Sequence, residues 1–257
     1  MTSSVLLTEE LDEATVLLTL NRPERRNALS IELMESLCQT IDRLAAEPRC
    51  RIVILRGAGP SFCAGLDLIE AADTTLSETS AEWVARTFET LSNTSLVTIA
   101  AAHSAAYGGG AGLLACCDFA LASEDLQICF PEVRRGLVPA LVSVVLRDRL
   151  SDGHLRELLF VGEAIGAAHA RQIGFVHRVV SAERLLDEAR TLATTILKGA
   201  PDAVRQTKRL LRELRPIEQS QLFAQALTFH KQSRQSEEAR EGLVAFREHR
   251  EPDWPSS

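Results

Sequence analysis

The chain has 257 residues, of which 46% are hydrophobic and 25% charged, and these values exclude a disordered or collagen-like protein. Its 28 Lys and Arg against 35 Asp and Glu give a formal net charge of −7, which argues against general binding to nucleic-acid phosphates. Six cysteines without a CxxC pair are too few for a disulfide scaffold and indicate reduced, buried thiols.

The ends and the apolar stretches of the chain bear on its location. Met1–Glu10 lacks the basic segment of a secretory signal, so we expect a cytoplasmic protein. Leu96–Cys117 contains no charged residue and is long enough to span a bilayer. It consists largely of Ala, Gly, Ser and Thr and is interrupted by Gly108–Gly110, so we expect no membrane segment.

The first half of the chain alternates predicted strands and helices. Thr15–Leu20 is rich in β-forming residues and predicts a strand, and Ser30 predicts the N-cap of an amphipathic helix over Ile31–Ala46. Arg51–Arg56 contains an apolar run typical of a strand buried on both faces. Further elements are predicted as strands over Val97–Ala102, Asp118–Ala122 and Gln127–Phe130, and as a helix over Leu113–Cys116 after the glycines. This alternation favours α/β layering.

Helices dominate from Leu141 onward, and Pro201 is well placed to begin one of them. The predicted helices cover Ser181–Leu197, Ala203–Leu214, Glu218–Gln235 and Glu237–His249. We therefore predict an α/β core over residues 1–200 and a helical C-terminal extension over residues 201–257.

Two glycine-rich segments suggest close approach of backbone to a ligand or to a neighbouring helix. Gly57–Leu68 follows a predicted buried strand, and such a turn directs backbone N–H groups outward, which suits an anion but also an ordinary connection. Tyr107–Leu113 holds four glycines in five positions. It superficially matches a dinucleotide-binding fingerprint, but the preceding predicted strand ends too early for that motif.

Glu132 is the third candidate for chemistry, because it follows a predicted strand and Pro131. A carboxyl group on such a rigid element can be partly desolvated, with a raised pKa, although a single Glu also suits a solvated surface. The sequence contains no metal-ligand spacing of His and Cys and no P-loop. Ser104 lacks the GxSxG motif of a hydrolase nucleophile.

Taken together, in this order and spacing, five segments resemble the crotonase (enoyl-CoA hydratase/isomerase) superfamily. The segments are Leu20–Ser30, Gly57–Leu68, Ala106–Gly110, Cys117–Asp118 and Pro131–Glu132, and the tail Ser236–Trp254 resembles the C-terminal pattern of the family. The run from Gly108 to Asp118, with Glu132-Val133 and Gly136–Pro139, is most similar to bacterial methylglutaconyl-CoA hydratase-type members.

This resemblance implies a spiral of ββα units with a helical C-terminal trimerisation region, in a homotrimer or homohexamer. It implies that the backbone N–H groups of Leu66 and Gly109 form an oxyanion hole for an acyl-CoA thioester, with Glu132 as the acid/base. The CoA contacts implied by the family pattern fall on Arg25, Arg26, Ala64, Leu66, Asp67 and Leu68. CoA is then part of the substrate, and neither a separate cofactor nor a metal is implied.

One departure from the family pattern bears on the reaction. Two-glutamate hydratases carry a Glu where this chain has Gly112, so Glu132 would have to perform both proton transfers of a hydration. We predict a hydratase-type enzyme. The alternatives are a Δ3-Δ2 enoyl-CoA isomerase, whose reaction needs one carboxylate, and a catalytically weak acyl-CoA-binding or RNA-binding member. Gly112→Glu is expected to bring at most a weak gain of crotonyl-CoA hydration.

Two further expectations concern the acyl pocket and the basic C-terminal segment. In this family the segment corresponding to Glu70–Asn93 lines much of the acyl pocket. Trp83, Phe88 and Leu91 are candidates for its wall, although core packing is the commoner role for each. The basic residues of the extension, which would support an RNA-binding function, are typical of a solvated or subunit-facing surface. They are Lys198, Arg205, Lys208, Arg209, Arg212 and Arg215.

Overall fold

The structure is a computed structural model that describes residues 4–73, 75–214 and 219–253, with side chains in the last range from Gln221 onward. Arg215, Glu218 and Trp254, which belong to the predicted basic segment, the next helix and the tail motif, lie outside these residues. Within the described ranges, every helix is too short or too polar to cross a membrane.

Six strands form the main sheet, in the order β1-β2-β3-β4-β6-β9. Its first pair is antiparallel and the remaining neighbours are parallel. A second sheet has the order β5-β7-β8. The strands are β1 Leu6–Glu10, β2 Thr15–Leu20, β3 Ile52–Gly57, β4 Val97–Ala102, β5 Ala105–Tyr107, β6 Phe119–Ser123, β7 Gln127–Cys129, β8 Ile165–Gly166 and β9 Arg178–Val180.

Helices cover both faces of the main sheet and continue to the end of the described chain. The helices of the first half are α1 Ile31–Ala46, α2 Leu68–Ala72, α3 Ser77–Asn93, α4 Gly109–Cys116 and α5 Ala140–Leu146. Those of the second half are α6 Asp152–Val161, α7 Ala167–Gln172, α8 Leu185–Leu197, α9 Pro201–Glu213, α10 Gln219–Arg234 and α11 Glu237–Glu248. Short 3₁₀ turns cover Pro23–Arg25, Glu132–Arg135 and Ala182–Arg184.

The apolar runs of the central strands reflect burial on both faces. On β3, Val53 and Leu55 belong to the larger core, which also holds buried residues of α1 and α3. Ile52 and Ile54 alternate with them and face a smaller core, against Leu185 of α8 and its apolar neighbours. The sheet is therefore a layer between two sets of helices, and its strand ends hold the loops that carry the candidate motifs.

Several predicted elements are confirmed, and others begin at different residues. The bounds of β2, β4 and α1 are confirmed, and the Ser30 hydroxyl accepts a hydrogen bond from the Leu33 N–H as an N-cap. The helix predicted from Ser181 begins at Leu185, because a 3₁₀ turn precedes it. The helix predicted after the glycine run begins inside it, at Gly109.

The C-terminal helices fold back over the first half of the chain. Helix α10 packs against α3 and α5, and α11 packs against the 3₁₀ turn Glu132–Arg135. A Cβ at Gly242 of α11 would lie 2.4 Å from the carbonyl carbon of Arg135, so only glycine permits this approach. The α/β fold with a helical C-terminal region is confirmed, while the boundary at residue 200 stays a prediction.

Candidate active site

Two loops that follow strand ends are joined by backbone hydrogen bonds. The Cys63 N–H donates to the Ala105 carbonyl at 3.1 Å, and the Tyr107 N–H donates to the Cys63 carbonyl at 3.0 Å. These bonds form a parallel bridge that continues the edge of β5. The two glycine-rich segments are thus held side by side by main-chain atoms, although the bonded residues Cys63 and Tyr107 are 44 positions apart in the chain.

A second bridge holds the residues on both sides of Leu66. The Leu29 N–H donates to the Gly65 carbonyl at 2.7 Å, and the Asp67 N–H donates to the Leu29 carbonyl at 3.0 Å. Because both neighbours are bonded, the orientation of the Leu66 peptide is fixed.

The two backbone N–H groups predicted to form an oxyanion hole lie next to each other. In the described part of the chain, neither the Leu66 N–H nor the Gly109 N–H donates a hydrogen bond. A Cβ built on Gly109 would lie 3.9 Å from the Leu66 nitrogen, which places the two amides in one neighbourhood. Gly109 is also the first residue of α4, where the helix leaves its N–H groups without internal partners. Two free donors at one point suit a negatively charged oxygen.

A polar network that the sequence analysis did not identify braces this loop. The Arg22 guanidinium bonds the Asp67 carboxylate at 2.9 Å, and that carboxylate also caps α2 by accepting from the Ile69 N–H at 3.1 Å. The buried Asn27 amide accepts from the Arg22 N–H and donates to the Ser61 carbonyl. Arg22 and Asn27 lie in the Leu20–Ser30 segment, so their presence in that motif was the available signal.

The predicted CoA-binding residues line one cavity of about 520 Å³ together with Leu66 and Gly109. Arg25 and Arg26 are exposed at its edge. The Asp67 carboxylate is engaged by Arg22 and by the α2 cap, so it serves the loop structure. The other residues of the set in this cavity are Ala64 and Leu68.

Glu132 lines the same cavity from the opposite loop. It begins the 3₁₀ turn after Pro131, and its Oε1 would lie 3.2 Å from a Cβ on Gly108, so the carboxyl group sits against the start of the glycine run. Its Oε2 is buried and accepts no hydrogen bond within the described ranges. Leu66, Gly109 and Glu132 are therefore brought together, although Leu66 and Glu132 are 66 positions apart in the chain.

Burial raises the pKa of Glu132 from its ordinary value of 4.5 to about 7. The backbone N–H of its own residue and the Arg135 guanidinium oppose this shift by favouring the ionised form. A carboxyl group with a pKa near neutrality exchanges protons readily in both directions, which suits a group that must first remove and then return a proton.

The raised pKa of Glu132 predicts a pH-dependent cost in stability. Above pH 4.5 the unfolded chain ionises this group before the folded protein does, so stability falls until the pH passes about 7. Glu132→Gln removes the cost and should stabilise the protein at pH 8 by up to about 3 kcal/mol, with a gain that shrinks toward pH 4.5. Thermal unfolding midpoints at the two pH values measure this difference. An equal gain at both values would contradict the assigned shift.

The structure leaves no space for a larger side chain at Gly112. A Cβ on Gly112 would lie 2.2 Å from Cζ of Phe88, whose ring is fully buried in the larger core. Gly112 does not line the cavity within the described chain. The Phe88 ring therefore occupies the space that a larger side chain at position 112 would need.

We expect Gly112→Glu to destabilise the protein and to bring no gain of hydration. Even the Cβ requires Phe88 to move, and overpacking of a tight core costs about 1–3 kcal/mol. Gly112→Ala serves as the matched control, since it adds the Cβ without a charge and should show a smaller loss in unfolding midpoint. A stable Gly112→Glu variant with new crotonyl-CoA hydration would show that the Phe88 ring can move aside and would contradict this prediction.

The residues singled out in the sequence as candidates for the acyl-pocket wall do not line the cavity in the described structure. Phe88 and Leu91 are buried in the larger core, and Trp83 is partly buried against that core. The packing role predicted for the three residues is therefore confirmed. From α3, Val84 reaches the cavity. The remaining apolar lining near it comes from Ile69, Ala71, Leu137, Ala140, Leu141 and Val142.

The basic residues of the extension are largely committed to internal contacts. Lys208 donates to the Asp118 carboxylate and to the Leu96 carbonyl, both at 2.6 Å. Arg212 donates to the Asn93 carbonyl at 2.7 Å. These bonds attach α9 to the end of α3 and to the residues that precede β4 and β6. Arg209 pairs with Glu213 along the helix, so three basic positions have partners in the chain.

Comparison with known proteins gives a consistent result over nearly the whole chain. A family profile described as enoyl-CoA hydratase/isomerase matches residues 10–257. The chain is 36% identical to the "Putative enoyl-CoA hydratase" of Thermus thermophilus, covering 91% of this chain and 94% of that protein. It is 30% identical to an enoyl-CoA isomerase/hydratase of Mycosarcoma maydis, covering 98% of each.

A solved structure shows the same fold. The crystal structure of an enoyl-CoA hydratase/isomerase from Pseudoalteromonas atlantica has a TM-score of 0.89 and 28% identity, covering 98% of this chain and 100% of that one. The names of these three proteins do not include methylglutaconyl-CoA hydratase, so that finer resemblance stays a prediction.

Proposed function

This chain belongs to the enoyl-CoA hydratase/isomerase family and is an acyl-CoA-processing enzyme, and from that premise we propose that Glu132 alone moves both protons of an enoyl-CoA hydration. The observation that carries the proposal is the placement of one buried carboxyl group and two free backbone N–H groups in one cavity. The thioester oxygen would accept hydrogen bonds from Leu66 and Gly109.

The first step is attack of water on C3 of the enoyl group. Ionised Glu132 removes a proton from the water while the water oxygen forms a bond to C3. The π electrons of the C2–C3 double bond are displaced through C2 to the thioester oxygen. The resulting enolate is stabilised by the two N–H groups, whose preorganised dipoles contribute on the order of several kcal/mol.

The second step returns the proton. Glu132, now protonated, donates to C2 as the enolate collapses to the thioester, so one water is added and the carboxylate is regenerated. The Glu132 side chain lines the cavity and its Oε2 has no hydrogen-bond partner in the described chain, so this oxygen is not committed to another contact. CoA enters and leaves with the acyl group, so we propose no separate cofactor.

Isomerisation of a 3-enoyl-CoA is the second candidate, and the closed position at Gly112 favours it. A shift of the double bond needs one group to remove a proton from C2 and return it to C4, with no water. The same residues would serve, and the relative from Mycosarcoma maydis carries both activities in its name.

The deciding experiment incubates the protein with crotonyl-CoA, a 3-enoyl-CoA and 3-methylglutaconyl-CoA, followed by absorbance measurements and mass spectrometry. Hydration adds the mass of one water, whereas isomerisation leaves the mass unchanged and shifts the double bond. Turnover of 3-methylglutaconyl-CoA above the others would support the finer resemblance in the motif pattern. Binding of all three without turnover would instead favour the catalytically weak member, and RNA retention without CoA binding would favour the RNA-binding alternative.

We also propose that the protein assembles as a homotrimer or homohexamer. Leu210 and Leu211 of α9 and Leu214 just after it are exposed and form an apolar surface that a second copy would cover. Light scattering at micromolar concentration measures the mass, and a monomer would contradict the proposal.

A further inference from the structure

Three buried polar atoms without hydrogen-bond partners belong to residues that line the candidate active-site cavity. In the described chain these atoms are Oε2 of Glu132, Nε2 of His230 and Nη1 of Arg234. The mechanism proposed above uses the first of them. The other two lie four residues apart on α10, a spacing that puts both on one helix face.

Arg234 reaches the cavity from α10 and is only partly satisfied by the protein. Its Nη2 donates to the Ala71 carbonyl at the end of α2, at 2.5 Å. Within the described ranges, no carboxylate pairs with it, and burial lowers its pKa. Burial and, to a smaller degree, the nearby Arg234 charge lower the pKa of His230 to about 4, so this ring is neutral at pH 7.

Lys231, which lies on the same helix, has its ion-pair partners within the protein. The Lys231 ammonium bonds the carboxylates of Glu78 and Glu82 on α3, at 2.6 and 2.9 Å. Lys231 does not line the cavity in the described structure. The unpaired charge at Arg234 is therefore a property of the cavity and not of the helix as a whole.

The surroundings of Arg234 make the missing partner costly. Ala71, Val84 and Leu141 line the same cavity without a polar side chain, and in the described chain neither of its carboxylates, Asp67 and Glu132, forms an ion pair with Arg234. A buried charge without a partner is unfavourable, and an anion carried by the ligand would compensate it. A guanidinium presents two parallel N–H groups that match the two oxygens of a carboxylate.

We propose that Arg234, with His230 beside it, binds a carboxylate at the far end of the acyl chain, so that the substrate is an enoyl monothioester of CoA with a dicarboxylic acid. This inference rests on the proposed function, because it places the thioester at Leu66 and Gly109. The acyl chain then runs past Glu132 toward Ala71 at the end of α2. The exposed Arg25 and Arg26 remain available for the CoA phosphates.

The test measures binding of two saturated ligands, which need no turnover. Glutaryl-CoA carries the terminal carboxylate, and 5-methylhexanoyl-CoA replaces it with an isopropyl group of similar shape. By titration calorimetry, the wild-type protein should bind glutaryl-CoA at least about 30-fold more tightly, the lower range for a buried charge pair. Arg234→Met should abolish that preference, while binding of 5-methylhexanoyl-CoA stays within a few-fold.

Lys231→Met is the matched control, since it removes one positive charge from the same helix at a residue outside the cavity. It should keep the preference for glutaryl-CoA. Arg234→Lys retains the charge without the forked geometry and should give an intermediate preference. If Arg234→Met fails to fold by circular dichroism, the wild-type comparison of the two ligands and the Arg234→Lys variant still decide the question.

Three outcomes would overturn the inference. They are equal wild-type affinity for the two ligands, loss of the preference in Lys231→Met, and equal weakening of both ligands and of free CoA in Arg234→Met. The last would assign Arg234 to a CoA phosphate. Hydration of 3-methylglutaconyl-CoA, an enoyl monothioester of a dicarboxylic acid, is measured in parallel. Its absence together with retained glutaryl-CoA preference would refute the proposed function alone, and its presence without the preference would refute this inference alone.

Discussion

Glu132→Gln should lower kcat on the true substrate by about 10²–10⁴, the usual contribution of general acid–base catalysis. The amide keeps the shape of the side chain but cannot remove a proton from water. Because the wild-type reaction starts from the ionised carboxylate, its kcat/KM should fall about tenfold per pH unit below the Glu132 pKa of about 7. Steady-state kinetics between pH 5 and 9 measure both effects.

Glu163→Gln is the control for this loss, since the Glu163 carboxylate is exposed and pairs with Arg134 at 2.8 Å. It should leave kcat unchanged. Acyl-CoA affinity should remain near that of the wild type in Glu132→Gln as well. Full activity in Glu132→Gln would refute Glu132 as the acid/base and would favour a reaction assisted by the substrate itself.

Gly109→Pro should reduce kcat by about 10²–10³, the cost of losing one oxyanion donor. Proline removes the backbone N–H, yet the first position of a helix is the place where an α-helix accepts it, so α4 should still form. Rates at saturating substrate separate the loss of the donor from any change in affinity.

Gly109→Ala retains the N–H and provides the comparison. Its Cβ would lie 3.1 Å from Cδ1 of Leu29, the end of a flexible side chain that can move by a few tenths of an ångström. The alanine variant should therefore keep most of the activity. Equal losses in both variants would indicate crowding at this position and would exclude a special role for the Gly109 N–H.

Strong local signals made part of the fold predictable. β2 and β4 consist of buried, mostly apolar residues, and α1 combines helical periodicity with a Ser30 cap, so their bounds follow from neighbours in the chain. β1 was not predicted, because of its five residues only Leu6 is buried and the remaining side chains are exposed. Its place is set by pairing with β2, which is a tertiary interaction.

Some residues of the candidate site could likewise be predicted from the sequence, and others could not. The glycine segments and Glu132 could be singled out because each lies in a recognisable local pattern. The blocked position at Gly112 could not, since the ring that closes it comes from Phe88 on another helix. Arg234 and His230 were also missed, because nothing near them in the sequence indicates that α10 folds back to the cavity.

The two main-chain bridges at Leu29 and Cys63 have a consequence for how such a protein can change over evolutionary time. The donor at Leu66 is a peptide nitrogen, held by peptide groups on either side, so replacing the leucine with any residue other than proline leaves the donor in place. Mutation can therefore change the side chains that line the cavity, one at a time, without removing the N–H group that we propose to stabilise the enolate at this residue. New acyl specificities are reachable through intermediates that keep the Leu66 donor.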